Sequence, residues 1–300
     1  MEYDYVIVGG GSAGCVLAAR LSEDPDVSVL LLEAGPRDWH PYIRIPITVG
    51  RFRQVGMLDW GYHSEPEPGL ANRRIQLLRG KVLGGGSSVN FMAHNRGNES
   101  DYARWVRLGL TDWSYAHMLP YFKRLETWHE GRAPHRGTDG PVGITWTCRT
   151  DPLADALLEA ARQAGFPSFD DLNGPEPNGF GPAQSAVHRG RRQNAPHAYL
   201  RPARGRANLT VRTGVLVTRL RLEGRVAVGV DYVQGGATQT VRARREVIVS
   251  AGAFNSPQLL MLSGIGNTDA LRKLGIEAVH HLPGVGEGLQ DHLSVGLNFR

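Results

Sequence analysis

The strongest constraint in this sequence is its first turn. Val6-Ile7-Val8 is a β-branched run suited to a short buried strand, and Gly9-Gly10-Gly11-Ser12-Ala13-Gly14 follows at once. Glycines 9, 11 and 14 make the pattern G-x-G-x-x-G. In that pattern Gly9 allows a tight turn, Gly11 lets a pyrophosphate approach the backbone, and Gly14 lets a helix pack close to the strand. The helix is expected from Cys15 to Leu21. Its N-terminus, with Ser12 and Ala13, offers unpaired N–H groups to an anion. A second strand, Val27 to Leu32, ends on Glu33, nineteen residues after Gly14. A carboxylate that binds a ribose hydroxyl is expected at a spacing of about 20. Ala34-Gly35-Pro36 then closes the strand. The order of strand, glycine turn, helix, strand and acid predicts a dinucleotide site on a Rossmann-like α/β fold.

A second glycine-rich stretch sets the chain apart from a simple nicotinamide-binding protein. Arg79-Gly80-Lys81-Val82-Leu83-Gly84-Gly85-Gly86-Ser87-Ser88-Val89-Asn90-Phe91-Met92-Ala93 contains three consecutive glycines and two serines. Such a run cannot be a helix interior or an ordinary strand. Its backbone N–H groups and small hydroxyls suit a flat or anionic ligand. A dinucleotide site plus this loop implies a cofactor with one phosphate-rich end and one flat end, which FAD fits better than NAD.

Composition narrows the alternatives. Glycine supplies 38 of 300 residues, against an average of about 7%, consistent with many tight turns or close backbone approaches. A net charge of +5 is moderately basic. The arginine clusters at 189–192, 201–206 and 242–245 read as solvated surface or partners of an anionic cofactor. They come with no nucleic-acid-binding motif, so no nucleic-acid partner is expected. Cys15 and Cys148 make no disulfide framework, and Cys15 reads as a small buried helix residue. The fold starts almost at the first residue, and Glu2 and Asp4 carry the wrong charge for a signal peptide. No apolar run reaches the roughly 18 residues of a membrane-spanning helix. A reducing, cytoplasmic setting is the expectation.

Between the motifs, residues 37–75 are rich in proline and aromatics and read as an excursion that packs on something. Asp101 to Gly109 is a short helix candidate. Tyr115, Met118, Leu119, Phe122 and Leu125 have helical spacing and read as core, with Pro120 bending that helix or marking its start. Residues 129–141 are loop, and His129 and His135 there lack the companions of a metal site. Pro152 to Ala164 is an amphipathic helix, with Asp151 as N-cap and Gly165 as its stop. Residues 166–182 read as surface loop. Ala195 to Leu200 leads through Pro202 into β-like segments Leu209–Leu222, Arg225–Val233 and Thr240–Ser250, an antiparallel meander. Its last strand ends on Ala251-Gly252, small residues that again let backbone approach a phosphate. Ser263-Gly264 closes the helix after that.

These stretches together resemble the GMC (glucose-methanol-choline) flavoprotein oxidoreductases, and choline dehydrogenase- or aryl-alcohol oxidase-like members in particular. The segment from Arg79 to Gly97 is similar to the family's first signature, and Trp60-Gly-Tyr-His-Ser-Glu-Pro66 to the region upstream of it. Gly252-Ala253-Phe254-Asn255-Ser256-Pro257 through Gly266 matches a second signature. Pro283-Gly-Val-Gly-Glu-Gly-Leu-Gln-Asp-His292 resembles PGVGxNLQDH, with Gly288 in place of Asn.

The resemblance implies an FAD-binding domain with an inserted β-meander and part of a substrate-binding domain. The nucleotide-binding core would take about residues 1–36, 76–98 and 205–300, and substrate-side excursions about 37–75 and 150–200. Gly9, Gly11, Ser12, Ala13, Gly14, Glu33, Ala34 and Gly35 would hold the ADP half. Trp60, Arg79, Gly80 and Gly85 would also bind the cofactor, and Gly86, Val89, Asn90, Phe91, Met92 and Ala93 would line the isoalloxazine, with Asn90 central. Val217 would meet adenine through its backbone, and Ala251 and Gly252 would support the pyrophosphate. Val89 stands where some members carry a histidine bonded to the flavin, so non-covalent FAD is implied. His94 replaces a usual aromatic and reads as a neutral substitution.

The implied reaction passes a hydride from a primary or secondary alcohol to flavin N5, giving an aldehyde or ketone, with dioxygen or another acceptor taking the electrons. The chain ends at Leu297-Asn298-Phe299-Arg300 in a strand-like run. By the resemblance, the catalytic histidine is expected beyond Arg300, so no histidine here is assigned as base. A lyase or photodecarboxylase on the same scaffold, or an inactive FAD-binding fragment, stay as alternatives. The residues do not specify the substrate alcohol.

Overall fold

A computed structural model describes residues 1–51, 56–147, 151–174 and 179–291. Cys148, His292 and the terminal run 297–300 therefore lie outside the described residues. The chain forms two compact units, residues 1–36 with 205–300, and residues 37–204. Residues 76–98, grouped by sequence with the nucleotide core, fall in the second.

The first unit is built on a six-stranded sheet. Its strands are β1 (Glu2–Val8), β2 (Val29–Glu33), β3 (Leu209–Thr213), β4 (Leu216–Glu223), β5 (Val226–Gln234) and β6 (Ala237–Val249). They are ordered β3-β2-β1-β6-β5-β4. β3, β2, β1 and β6 run parallel, while β6, β5 and β4 form an antiparallel meander. The two parts share β6, whose thirteen residues pair first with β5 and then with β1. The meander is thus a continuation of the nucleotide sheet rather than a separate layer.

Helix α1 (Ser12–Leu21) follows β1, and α2 (Gly252–Leu262) follows β6. Every residue of β2 is buried, as expected of a continuous apolar run in a parallel sheet covered on both faces. Val6, Val8, Leu30, Leu32, Val230 and Tyr232 form the centre of one core, and each such side chain contributes about 1.5–3 kcal/mol by leaving water.

The expected segment Leu209–Leu222 is two strands, not one. Gly214, at φ +68°, lets the chain leave β3 beside β2 and enter β4 at the far edge of the sheet. α1 also starts at Ser12, earlier than periodicity alone suggests, because apolar spacing begins only with Cys15. Cys15 is fully buried in it. α2 ends where expected, with Gly264 at φ +84° and Ser263 Oγ accepting from Leu220 N–H on β4 at 2.8 Å.

In the second unit, Asn98 and Asp101 form a reciprocal capping box on the helix Glu99–Arg107. Ser114 caps the helix Tyr115–Leu125, which continues through Pro120. Tyr102 packs edge-on against Trp105, Tyr115 and Phe122 and is the buried member of that aromatic group. Asp151 accepts from Leu153 N–H at the start of the helix Pro152–Gln163, as its sequence predicts. No helix among the described residues is long and apolar enough to cross a membrane.

Candidate functional site

The glycine turn between β1 and α1 is sterically tight at Gly9 and Gly14. Gly9 is at φ +98°, and a Cβ there would stand 2.6 Å from Ser250 O. A Cβ on Gly14 would overlap the Gly9 carbonyl oxygen, so α1 sits hard against the turn. Gly11 differs. Its φ is −74°, and a Cβ would meet nothing nearer than Ser250 O at 3.9 Å. The backbone does not require glycine at this position, so what the missing side chain leaves is room. Ser12 and Ala13 beside it are exposed, at the N-terminus of a helix whose cap residue supplies no side-chain bond. That is the arrangement an anion needs.

Glu33 is buried at 6% exposure. Its Oε2 accepts from Gly10 N–H and its Oε1 from Gly35 N–H, both at 2.8 Å. These two bonds clamp the turn from the end of β2. Gly35 O in turn accepts from Gly214 N–H at 3.0 Å. Ala34 and Gly35 are thereby fixed between β2 and the crossover to β4.

A second strand-to-helix turn lies against the first. Ser250 N–H donates to Val8 O at 2.8 Å and Ser250 Oγ to Gly9 O at 2.9 Å. A Cβ on Gly9 would also stand 2.7 Å from Ala251 Cα. Gly252, at φ +89°, then starts α2 with open space around it. Val217 lies on β4, the edge strand, where the pairing shifts between residues 217 and 219. Such a bulge leaves backbone groups unpaired, which suits a backbone contact to a ligand.

In the second unit the Gly84–Ala93 loop is held from below. Gly84 packs against Pro196, whose Cδ would lie 2.7 Å from a Cβ at 84. Ser87 Oγ donates to Gly84 O at 2.7 Å and accepts from Ala195 N–H at 3.1 Å. Ser88 Oγ donates to Leu83 O at 2.8 Å and accepts from Asn194 Nδ2 at 3.0 Å. The two hydroxyls brace the loop, where the sequence suggested that they face a ligand. Gly86 has nothing within 4 Å of a Cβ, and Gly86, Asn90, Phe91 and Ala93 are exposed. Val89 and Met92 turn inward.

Trp60 and Arg79 are brought together by a short hairpin. Trp60 N–H donates to Arg79 O at 3.0 Å, and Arg79 N–H donates to Asp59 Oδ1 at 2.7 Å. Trp60 stacks on Tyr62, with Lys81 Nζ 4.6 Å from its ring centre. Gly80 is required here, since a Cβ would stand 2.5 Å from Gly85 O.

Beyond Ala93 the loop runs into a charge cluster that sequence gave no sign of. Glu126 is fully buried. Arg96 Nη2 lies 2.6 Å from its Oε1, Arg136 Nε 3.0 Å from the same oxygen, and His94 Nε2 3.0 Å from Oε2. Burial alone would raise the Glu126 pKa. Hydrogen bonds from His94 and Gly137 N–H and the charges of Arg96 and Arg136 outweigh it and hold the carboxyl below its usual range. Asp171 behaves alike: burial raises it, but Gln184, His135, Asn173 and Arg136 bring it down. His94 is therefore a bonded member of a largely buried network. His135 bonds to Asp171 at 2.9 Å, and His129 stacks on His188 at 3.9 Å.

The description GMC oxidoreductase matches residues 3–294, nearly the whole chain. The chain belongs to the GMC oxidoreductase family. It is 48% identical over 303 residues to the mitochondrial choline dehydrogenase of Homo sapiens, covering 98% of this chain and 51% of that protein. It is 49% identical over 293 residues to the oxygen-dependent choline dehydrogenase of Rhizobium etli, covering 98% and 53%. Among solved structures, an FAD-dependent oxidoreductase from Chaetomium thermophilum superposes with a TM-score of 0.90 at 34% identity, over 96% of this chain and 52% of that one. The chain thus spans about half the length of the relatives it matches.

Within the GMC frame, Gly288 has a local reason. It sits at φ +67°, a left-handed position that asparagine tolerates better than other side chains, so Gly and Asn are the natural exchange there. The arginine clusters, read from sequence as surface or cofactor partners, divide. Arg206 donates to Ala19 O and Ser22 Oγ, and Arg244 grips Asp4. Arg192 is buried at 4% exposure. Runs of arginine carry no periodicity that would tell these apart.

Proposed function

We propose that this chain binds FAD non-covalently and serves an FAD-dependent oxidation of alcohols. The observation that carries the reading is the open space over Gly11, flanked by the exposed start of α1 and closed below by the buried Glu33 carboxylate. A bulkier residue at 11 would fill that space, so the cradle fits a pyrophosphate. Gly11, Ser12 and Ala13 would take the pyrophosphate through backbone N–H groups, with Ala251 and Gly252 beside them. Glu33 would accept from the ribose, and Val217 would meet adenine through its backbone. In the second unit, Gly86, Asn90, Phe91 and Ala93 offer an exposed strip suited to a planar ring. Val89 has no nucleophile, which favours a non-covalent bond state.

Bound, FAD supplies the acceptor for the hydride that leaves the alcohol carbon. This chain's residues would orient the cofactor and shield it from water. Among the described residues no histidine is assigned as the base that removes the hydroxyl proton. The relatives named for choline make it the first alcohol to try, with dioxygen or an artificial dye as electron acceptor.

The test is the visible spectrum of the chain purified with excess FAD, followed by acid precipitation. Flavin bands with the colour released to the supernatant support the reading. Colour retained in the pellet would reject the non-covalent state, and failure to take up FAD would reject the cofactor. Anaerobic bleaching by choline or another alcohol then tests the reaction.

A further inference from the structure

Arg192 is a buried guanidinium with no carboxylate partner among the described residues. Its contacts are Ile43 O to Nε at 2.9 Å, Ser87 O to Nη1 at 3.2 Å and Asn90 Oδ1 to Nη1 at 2.7 Å. Its Nη2 is buried without a hydrogen-bond partner. Burial pushes its pKa down to about 10, so it stays charged at neutral pH. A buried cation without a counter-ion is costly, and side-chain packing alone could be had from leucine or methionine. What a planar, donor-only group supplies instead is direction.

That direction is set at Asn90. Its Oδ1 accepts from Arg192 Nη1 and from Met92 N–H, the second at 3.0 Å. Both neighbours can only donate. The atom between them is therefore the oxygen, and the NH₂ of Asn90 must point the other way. No hydrogen bond engages that NH₂ among the described residues, and Asn90 is exposed. The same bond secures the backbone. Met92 stands at φ +63°, a conformation uncommon for a residue with a side chain. Its N–H is held by Asn90 and its carbonyl accepts from Ala186 N–H at 2.8 Å. With Met92 turned in, Phe91 is left 67% exposed beside the free amide.

We infer that Arg192 is a positioning residue that fixes the Asn90 amide with its NH₂ outward, as a donor to an acceptor atom on the edge of a planar, carbonyl- or imine-bearing ligand. The hydrogen-bond relay stands on this chain alone. The identity of the ligand as flavin rests on the FAD reading above.

Two variants separate the relay from its use. Asn90→Asp keeps an acceptor for Arg192 and for Met92 N–H but replaces the outward donor by an oxygen. Arg192→Lys keeps the charge but cannot reach three carbonyl oxygens in one plane. Amide hydrogen exchange at Met92 is measured on the full chain without cofactor, and FAD affinity by titration with free FAD. Expected for Asn90→Asp is Met92 protection within twofold of the parent and FAD affinity at least tenfold weaker. Expected for Arg192→Lys is Met92 exchange at least tenfold faster, with cooperative melting retained, and weaker FAD binding. FAD bound by Asn90→Asp as tightly as by the parent would overturn the outward donor. Unchanged Met92 exchange in Arg192→Lys would overturn the relay. Should Arg192→Lys fail to fold, Arg192→Gln is measured in its place, with the same expected and overturning results for Met92 exchange. If the parent itself takes up no FAD, the FAD reading falls, while Met92 exchange still decides the role of Arg192.

Discussion

The two glycine-rich turns of this protein solve different problems with the same residue. At Gly9–Gly14 the glycines meet backbone: Ser250 O and Ala251 above Gly9, and the Gly9 carbonyl against Gly14. Side chains add to this fit, Glu33 from the end of the next strand and Ser250 from the end of β6. At Gly84–Ala93 the supports are side chains from far along the chain: Arg192, Asn194 and Pro196 from one side, and His94 tied to Glu126 from the other. A turn made by backbone fit is rigid by sterics. A loop held by distant side chains is only as rigid as the polar network beneath it.

The largest expected effect breaks the second kind of support. Glu126→Gln leaves Arg96 and Arg136 buried without their counter-charge and should cost about 3–5 kcal/mol, read as a lower thermal midpoint. The same variant isolates a pH effect. The Glu126 carboxyl is held below its unfolded value, so its contribution is present above the ordinary carboxylate range and is lost as pH falls through the lowered folded value. Asp4 is lowered as well, chiefly by its hydrogen bond from Arg244, and adds to the acid loss of the whole chain. The difference between parent and Glu126→Gln melting curves below pH 5 should therefore shrink as pH drops. A constant difference would show that Glu126 acts through packing and not charge.

Gly14→Ala tests the steric kind of support. The added methyl runs into the Gly9 carbonyl, a backbone atom that cannot turn aside. Overpacking of this sort should cost about 3 kcal/mol or more and abolish FAD uptake. Gly11→Ala is its control, because the methyl enters open space. Stability should hold while FAD affinity drops, and equal destabilisation by both substitutions would refute the distinction drawn between the two glycines.

Glu33→Gln comes next. The amide keeps one acceptor oxygen and presents an NH₂ to the other backbone N–H. Losing a charge-assisted bond of about 1.5–3 kcal/mol should lower the melting temperature of the free chain as well as weakening FAD. If only FAD affinity changed, the clamp on Gly10 and Gly35 would be incidental and the ribose contact would carry the whole effect.

The contrast also explains what sequence could reveal. The first turn was legible because its glycines and its acid lie within thirty-odd residues, although Ser250 and Ala251, which press on Gly9, left no trace in that order. Even there the clamp by Glu33 was missed, since spacing suggests a ligand for the carboxylate and says nothing of Gly10 N–H. The second loop could be located from Gly84-Gly85-Gly86 but not understood. Arg192 lies in a run of arginines that reads as solvated surface, and Glu126, Arg96 and Arg136 are single charges with no motif. A tertiary contact between residues a hundred positions apart leaves no local trace. The split of Leu209–Leu222 was hidden for a related reason. Gly214 was the available signal, but strand-like residues on both sides made one long strand the simpler reading.

The smallest effect gives the sharpest comparison, because it uses one substitution in both turns. Ser87 Oγ is engaged twice, to Gly84 O and from Ala195 N–H, so Ser87→Ala removes the acceptor of Ala195 N–H, while Gly84 O keeps only the Ser87 N–H. That should cost about 1 kcal/mol in stability. Ser12 stands in the matching place after the first glycines, exposed at the start of α1, and its hydroxyl has no partner among the described residues. Ser12→Ala should leave the melting temperature unchanged or slightly raised, since alanine is the better helix former. If the Ser12 hydroxyl reaches the pyrophosphate, FAD affinity falls in this variant without any loss of stability. Ser87→Ala should show the reverse order, a stability loss first and an affinity loss only through the loosened loop. Matching profiles for the two serines would mean that the turns are held in the same way, and the division between backbone fit and side-chain bracing would have to be given up.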